Sequence, residues 1–260
     1  MPTALITGAS SGIGLELASV AARDRHDLVL VSRSRERLES VGRGLAEEYG
    51  VRVSVIAKDL ADPSAAAELA AELSARGIAI DVLVNNAGFG VYGFFAETPI
   101  EAEIEMIEVN VSAVTRLTKA FLGGMLERRR GGILNVASTA AFQPGPIMAV
   151  YYATKAYVLS FTEALASEVA GSGVRVTALC PGPTRTGFQS RAGFRPIPLL
   201  RAPLLGNDPG EVARAGWDGL KKGRRVVVPG MTNKLLVQAE RITPRRVVTA
   251  VIKRLQQSRG

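Results

Sequence analysis

Histidine, cysteine and long apolar runs are nearly missing from this 260-residue chain, and each absence removes a class of chemistry. His26 is the sole histidine, so a histidine-based triad or a multi-histidine metal site is excluded and no metal is expected. It falls between a predicted helix and a predicted strand, an ordinary place for a surface residue. Cys180 is also alone, which rules out an internal disulfide and fits a reducing cytoplasm. No run of about 18 uncharged apolar residues occurs, so no membrane-spanning helix is expected. Met1 to Thr7 enters an apolar strand without a charged leader, so no signal peptide is expected either. The last forty residues are short of acid: eleven Lys or Arg oppose Glu240 alone, so they carry +10 of a net +8 and the first 220 residues carry −2.

What is present is a chain that is 47% hydrophobic, enough to bury a sizeable core within one α/β domain. Apolar β-rich runs at Thr3 to Thr7, Leu28 to Val31, Arg52 to Ala57, Asp81 to Val84, Ile133 to Ala137 and Val174 to Leu179 predict strands, and Val226 to Val228 adds a seventh. Helical patterns lie between them, over Ile13 to Arg23, Arg35 to Tyr49, Glu101 to Arg128 in one or two pieces, and Tyr151 to Ala170. Asp62-Pro63 and Thr98-Pro99-Ile100-Glu101 each place a capping side chain before proline at a helix start, the second also matching a capping box. Parallel strands joined by crossover helices give a doubly wound, Rossmann-type α/β sheet of about seven strands, covered on both faces. Residues 1–230 are expected to form this domain. The Gly/Pro-rich stretch 187–210 is too long for an ordinary connection and predicts a substrate lid.

From Thr243-Pro244 onward, Val247, Val248, Val251 and Leu255 recur at helical spacing among Arg245, Arg246, Lys253 and Arg254. Residues 231–260 thus predict a basic helical extension on or beside the same domain. An amphipathic helix of this kind suits an anionic membrane surface, the sheet edge or a subunit neighbour better than nucleic acid.

Gly8, Gly12 and Gly14 spell G-x-x-x-G-x-G directly after the first strand and at the opening of the first helix. Small residues there let the backbone approach a pyrophosphate, and unpaired N–H groups at a helix N-terminus favour an anion. A dinucleotide is therefore the expected ligand. A preference for NAD usually needs an acid at the end of the second strand, but that strand ends Val31-Ser32-Arg33-Ser34-Arg35. Ser32 replaces a carboxylate that would repel a 2′-phosphate, and Arg33 can grip that phosphate, so NADP(H) is expected. Arg35 and Arg37 serve equally well as solvent-facing helix residues. Asp59, after the third strand, either accepts from the adenine amino group or caps its own loop.

Tyr151 and Lys155 stand four residues apart, one helical turn, with Ser138 thirteen residues upstream. An ammonium beside a phenol stabilises the phenolate, and a shift of about three pKa units would correspond to roughly 4 kcal/mol. Tyr152, three residues before Lys155, meets the same spacing test.

Thr7-Gly8-Ala9-Ser10-Ser11-Gly12-Ile13-Gly14, Asn85-Asn86-Ala87-Gly88, Asn110, Ser138, Tyr151-x-x-x-Lys155 and Pro181-Gly182-Pro183-Thr184-Arg185-Thr186 together resemble the classical short-chain dehydrogenases/reductases. The resemblance covers residues 3 to 230. It implies that Tyr151 rather than Tyr152 exchanges the substrate proton and that Ser138 hydrogen-bonds the reacting oxygen. Lys155 would hold the nicotinamide ribose while acidifying Tyr151, and Asn110 would relay protons through water. It also implies a cofactor site made of Thr7, Gly8, Ser10, Ser11, Gly12, Ile13, Gly14, Ser32, Arg33, Asp59, Leu60, Asn86, Ala87, Gly88, Tyr151, Lys155, Pro181, Gly182, Thr184 and Thr186. The expected reaction is NADPH-dependent interconversion of a carbonyl compound and its alcohol, in a homodimer or homotetramer.

Phe89, Tyr92, Phe94 and Phe95, with Phe188, Phe194, Ile197, Leu199 and Leu200 in the lid, point to a hydrophobic ketone or aldehyde. Arg191, Arg195 and Arg201 suit either solvent or the phosphates of an acyl carrier or coenzyme A thioester. Two rivals stay open: a 3-oxoacyl-thioester or lipid-ketone reductase at a membrane surface, and a non-catalytic NADP-sensing protein. Hydride transfer to any member of a broad carbonyl panel separates the second rival from an enzyme.

Overall fold

The computed structural model describes residues 1–188, 192–193 and 208–257. Most of the expected lid lies outside these residues, including Arg191, Phe194, Arg195, Ile197, Leu199, Leu200 and Arg201. Strands β1 (Thr3–Thr7), β2 (Asp27–Ser32), β3 (Val53–Ala57), β4 (Val82–Asn85), β5 (Gly131–Val136), β6 (Val174–Leu179) and β7 (Val226–Val227) form one sheet. Its order is β3-β2-β1-β4-β5-β6-β7, and every neighbouring pair is parallel. The helices are α1 (Gly12–Arg23), α2 (Arg35–Tyr49), α3 (Ala65–Ala75), α4 (Ile100–Ile107), α5 (Ala113–Glu127), α6 (Ala149–Glu168), α7 (Pro209–Lys221), α8 (Met231–Ile242) and α9 (Arg245–Gln257).

The strands read as unbroken apolar runs because both faces are covered. Consecutive residues supply opposite layers: Ile6 and Leu30 pack with Leu17 of α1, Leu38 of α2 and Trp217 of α7, while Leu5 and Val29 pack with Leu69 of α3, Leu117 of α5 and Leu165 of α6. Each such side chain contributes roughly 1.5–3 kcal/mol through burial. A polar ladder crosses this interior. The Asn85 Nδ2 donates to Asn135 Oδ1 at 2.9 Å and to Thr118 Oγ1 at 3.1 Å, and the Asn135 Nδ2 donates to Thr162 Oγ1 at 3.0 Å. All of these amide atoms but Asn85 Oδ1, which is buried without a partner among the described residues, are tied in this way, so the ladder holds β4 and β5 in register against α5 and α6.

Local differences from the sequence expectations have physical causes. Asp62 spends its Oδ1 on the N–H and hydroxyl of Ser64, both at 2.8 Å, so it caps a turn and α3 starts only at Ala65. At α4 the proline occupies the cap position itself, and the Thr98 hydroxyl donates to Glu103 at 2.8 Å instead of joining a box with Glu101. The expected helix from Glu101 to Arg128 is continuous but contains a π-helical turn, Glu108–Ser112, with Asn110 in it. Such turns are frequent at functional sites.

Candidate active site

The chain runs outward from β1 to β3 and then returns to place β4 beside β1, so a crevice opens at the carboxyl ends of β1 and β4. The glycine loop closes its floor. Gly8 and Gly12 take φ of +66° and +57°, which side chains rarely tolerate, and a Cβ on Gly14 would overlap the Gly8 carbonyl and Asn86. The Asn86 Nδ2 donates to the Thr7 carbonyl at 2.9 Å, and the Thr7 hydroxyl donates to Val84 O while accepting from the N–H groups of Asn86 and Ala87, both at 3.0 Å. Thr7 therefore locks the two strand ends together from behind the cavity wall. Ser11 caps α1 without a side-chain hydrogen bond, leaving the first N–H groups of the helix for a ligand.

Ser10, Ser11, Gly12, Ile13 and Gly14 line one cavity of about 840 Å³ with Ser32, Arg33, Asp59, Leu60, Asn86, Ala87 and Gly88, and with Pro181, Gly182, Thr184 and Thr186 across the crevice. Ser32 Oγ is buried and has no hydrogen-bond partner among the described residues. Arg33 is exposed and forms a 3.3 Å ion pair with Glu105, an interaction worth at most about 1 kcal/mol and readily exchanged. Asp59 accepts from its own loop at Ala61 N, 3.0 Å, while still facing the cavity. Arg37 lines the cavity too, whereas Arg35 pairs with Glu39. Lys58, not anticipated from sequence, lines it and bonds Glu68 at 2.6 Å. An orphaned serine hydroxyl, an uncapped helix start and a floor that a Cβ would fill all suit a phosphorylated dinucleotide.

Ser138, Tyr151 and Lys155 meet in the same cavity. Ser138 opens the short helical turn Thr139–Phe142, its Oγ accepting from Ala140 N at 3.1 Å, and Tyr151 and Lys155 leave one face of α6. Lys155 Nζ lies 5.8 Å from the Tyr151 ring centre and donates to Val136 O at 3.0 Å. Burial lowers the Lys155 pKa to about 8, against a smaller opposing effect of Cys180. The Tyr151 phenol moves the other way: burial raises its pKa, and a hydrogen bond with Ser138 only partly opposes this. Burial is thus the largest influence on the Tyr151 phenol in the ligand-free protein, where the Lys155 ammonium is turned toward the Val136 carbonyl. Ile147, a β-branched residue at φ +72°, holds the entry to α6 in a strained conformation while accepting from Gly93 N at 2.9 Å.

Asn110 does not reach the cavity wall. It is 1% exposed, and its Oδ1 accepts from Phe89 N at 3.1 Å while its Nδ2 donates to Phe89 O at 2.9 Å and Thr154 Oγ1 at 3.1 Å. Its side chain fastens the loop after β4 to α6. Tyr152 is turned toward the tail, receiving a 2.9 Å hydrogen bond from Gln256 Nε2.

The far side of the cavity carries Phe89, Met148 and Phe188, the last 5.4 Å from the Tyr151 ring, whereas Phe94 and Phe95 are exposed. Its outer wall is the tail, a role that the motifs gave no hint of. Val237 of α8 and Val248, Ile252 and Gln256 of α9 line the cavity; Gln256 is 2% exposed, and its main-chain oxygen accepts from the Tyr92 hydroxyl at 2.6 Å. Asn233 is buried above Gly182, bonded to Pro229 O at 2.8 Å, and leaves no room there for a Cβ. The recurrence of cavity residues at 233, 237 and 240, and at 248, 252 and 256, was the available signal.

Residues 2–193 match the short chain dehydrogenase family. The very-long-chain 3-oxoacyl-CoA reductase of Anas platyrhynchos is 35% identical over 184 residues, which cover 68% of this chain and 58% of that protein. The chain thus matches little more than half the length of that relative. Dehydrogenase/reductase SDR family member 7B of Rattus norvegicus is 30% identical over 265 residues, covering 98% of this chain and 82% of that protein. Among solved structures, a short-chain dehydrogenase from Sphingobium yanoikuyae in complex with NADPH superimposes with a TM-score of 0.81 at 36% identity, covering 93% of this chain and 94% of that one. With its seven-stranded parallel sheet, its glycine cradle and this agreement over most of its length, the chain belongs to the short-chain dehydrogenase family.

Proposed function

We propose that this protein is an NADPH-dependent oxidoreductase that interconverts a hydrophobic ketone or aldehyde and its alcohol. The observation that carries this reading is the meeting of Ser138, Tyr151 and Lys155 in one cavity with the glycine cradle. The dinucleotide, when bound, supplies or takes up a hydride at the carbonyl carbon. In the reducing direction, Tyr151 delivers its phenolic proton to the carbonyl oxygen, and burial keeps that proton in place until it is needed. Ser138 Oγ hydrogen-bonds the same oxygen as negative charge gathers there. Lys155 is the residue that would hold the nicotinamide ribose, and the resulting change in its surroundings is what would bring its charge to bear on Tyr151. Asn110 supports this arrangement from behind, through Phe89 and Thr154. Ser32 and Arg33 would receive the 2′-phosphate, consistent with NADPH in the Sphingobium relative.

The Tyr151→Phe variant tests the assignment. Carbonyl reduction should fall by roughly 10²–10⁴-fold while NADPH binding, followed by fluorescence titration, stays close to that of the parent. Unchanged turnover would refute it. Screening NADPH oxidation with ketones, aldehydes, quinones and 3-oxoacyl thioesters then identifies the substrate class.

A lipid ketone or 3-oxoacyl thioester taken at a membrane surface is a second reading, favoured by a specific observation. Leu235 and Ile242 are 64% and 87% exposed among Lys234, Arg241, Arg245 and Arg246, while α9 also walls the cavity. No helix among the described residues is long and apolar enough to cross a membrane. Binding to anionic vesicles that persists without residues 231–260 would sink this reading. A homodimer or homotetramer through α4, α5 and α6 is supported by the exposed Ile100 and Ile104 and by the stacked Tyr157–Phe161 pair; sedimentation gives its size.

A further inference from the structure

The tail helices give the cavity a largely apolar wall, in which the polar Asn233, Thr243 and Gln256 bond Pro229 O, Ala239 O and Tyr152. Leu236 and Val237 of α8, and Val248, Val251 and Ile252 of α9, face it, and a single charged side chain interrupts them. That residue is Glu240, one turn beyond Leu236 and Val237 on α8. Its Oε2 is buried and has no hydrogen-bond partner among the described residues. Of the cations that line the cavity, Arg33 pairs with Glu105, Lys58 with Glu68 and Lys155 donates to Val136 O, and neither these nor Arg37 forms an ion pair with Glu240 among the described residues. Glu240 as a whole is half-buried, and this one oxygen is an acceptor without a donor. Leaving it so costs stability, and burial raises its pKa to about 7, so both of its forms are present near neutrality.

We infer that Glu240 is a specificity-determining acceptor, taking a hydrogen bond from a hydroxyl or ammonium group that the carbonyl substrate carries away from its reacting carbon. This deepens the proposed carbonyl reduction and rests on it. The reacting end of the substrate meets Ser138 and Tyr151, its apolar body lies along the valines of α9, and its donor group meets Glu240. A site whose acceptor is left unpaired by the wrong substrate discriminates more strongly than an apolar wall, which merely tolerates what fits.

The test uses three ketones of one carbon skeleton, bearing a remote hydrogen, hydroxyl or amine, and the full-length protein as parent, Glu240→Gln and Glu240→Leu. The parent should prefer the hydroxyl or the amine over the plain ketone by about tenfold in kcat/KM, chiefly through KM. Glu240→Leu should lose that preference, with kcat/KM for the plain ketone rising because no acceptor is left unpaired, and kcat/KM for the hydroxyl and amine ketones falling. Glu240→Gln should keep a preference for the hydroxyl if that is the natural donor, and lose all preference if the donor is an ammonium. Calorimetric binding of the three matching alcohols to the NADP-loaded proteins should give the same ranking without turnover. If the parent reduces no ketone but still ranks the alcohols by their donor, the reaction assignment fails and the role of Glu240 stands. Identical rankings by parent and Glu240→Leu, in rate and in binding, would overturn the inference.

Discussion

At the cradle end of the cavity the backbone makes the wall. Gly14 sits against the Gly8 carbonyl, Gly88 against Asn110 and Lys155, and Thr7 and Asn86 tie β1 to β4. At the tail end the wall is made by side chains on two helices that expose much of their apolar surface, with Val247 and Val251 each 50% exposed. The first construction leaves no freedom of residue type at its tight points. The second asks only for apolar bulk at one helical spacing, together with a few anchors such as Gln256. A dinucleotide common to many enzymes suits the rigid end, and a substrate that differs among them suits the adaptable one.

The sharpest way to break the contrast is Gly14→Ala. Its Cβ has no space against main-chain atoms, so the cradle must shift. We expect about 3 kcal/mol of destabilisation and a loss of roughly a hundredfold or more in NADPH affinity, read by denaturant melts and fluorescence titration. An alanine as large as the one it introduces, placed on the tail wall, should do far less. Next in size is Arg33→Asp, which removes the proposed phosphate ligand and adds a repelling charge at the rim of the cradle. NADPH efficiency should fall by about ten- to a hundredfold relative to NADH. Retained preference for NADPH would exclude the phosphate contact.

Gln256→Ala probes the other end. The buried amide that donates to Tyr152 is lost, at a cost of about 1–3 kcal/mol, and the end of α9 should loosen. Substrate KM should rise several-fold while NADPH affinity stays put, because Gln256 bonds Tyr92 and Tyr152 rather than the cradle. Steady-state kinetics beside dinucleotide titration separate the two; equal losses in both would mean that the cavity ends are coupled.

The same contrast governs how much was legible in the sequence. The sheet was readable because strands covered on both faces must be apolar throughout, and the cradle because glycine alone fits where backbone meets backbone. Tyr151 and Lys155 were readable as a helical turn. The tail wall was not, since Val248 and Ile252 line the cavity with the same periodicity that any amphipathic helix shows to a membrane or to a neighbouring subunit. Nor was the Tyr151 pKa, whose direction depends on burial that spacing does not encode, nor the part played by Asn110, whose hydrogen bonds run to Phe89 and Thr154 from a π-helical turn.

The smallest effect divides the two ends by pH. Lys155 binds its proton less tightly in the folded protein, about 8 against an ordinary 10.5, so the unfolded chain holds more protons between these values and stability should rise with pH across that window. Glu240 has the reverse sign: its carboxyl is raised to about 7 from an ordinary 4.5, so the folded protein holds more protons and stability should fall as pH rises from 4.5 through 7. The buried Cys180 thiol, raised to about 12, and the Tyr151 phenol oppose Lys155 above pH 9 and 10. Comparing the parent with Lys155→Met removes that overlap. The difference in ligand-free unfolding free energy should change by about 1 kcal/mol per pH unit between pH 8 and 9.5, and Glu240→Gln should leave this difference untouched while flattening the acid side. Parallel profiles for the parent and Lys155→Met would mean that Lys155 keeps its proton inside the folded site, and that the cradle end carries a buried charge throughout.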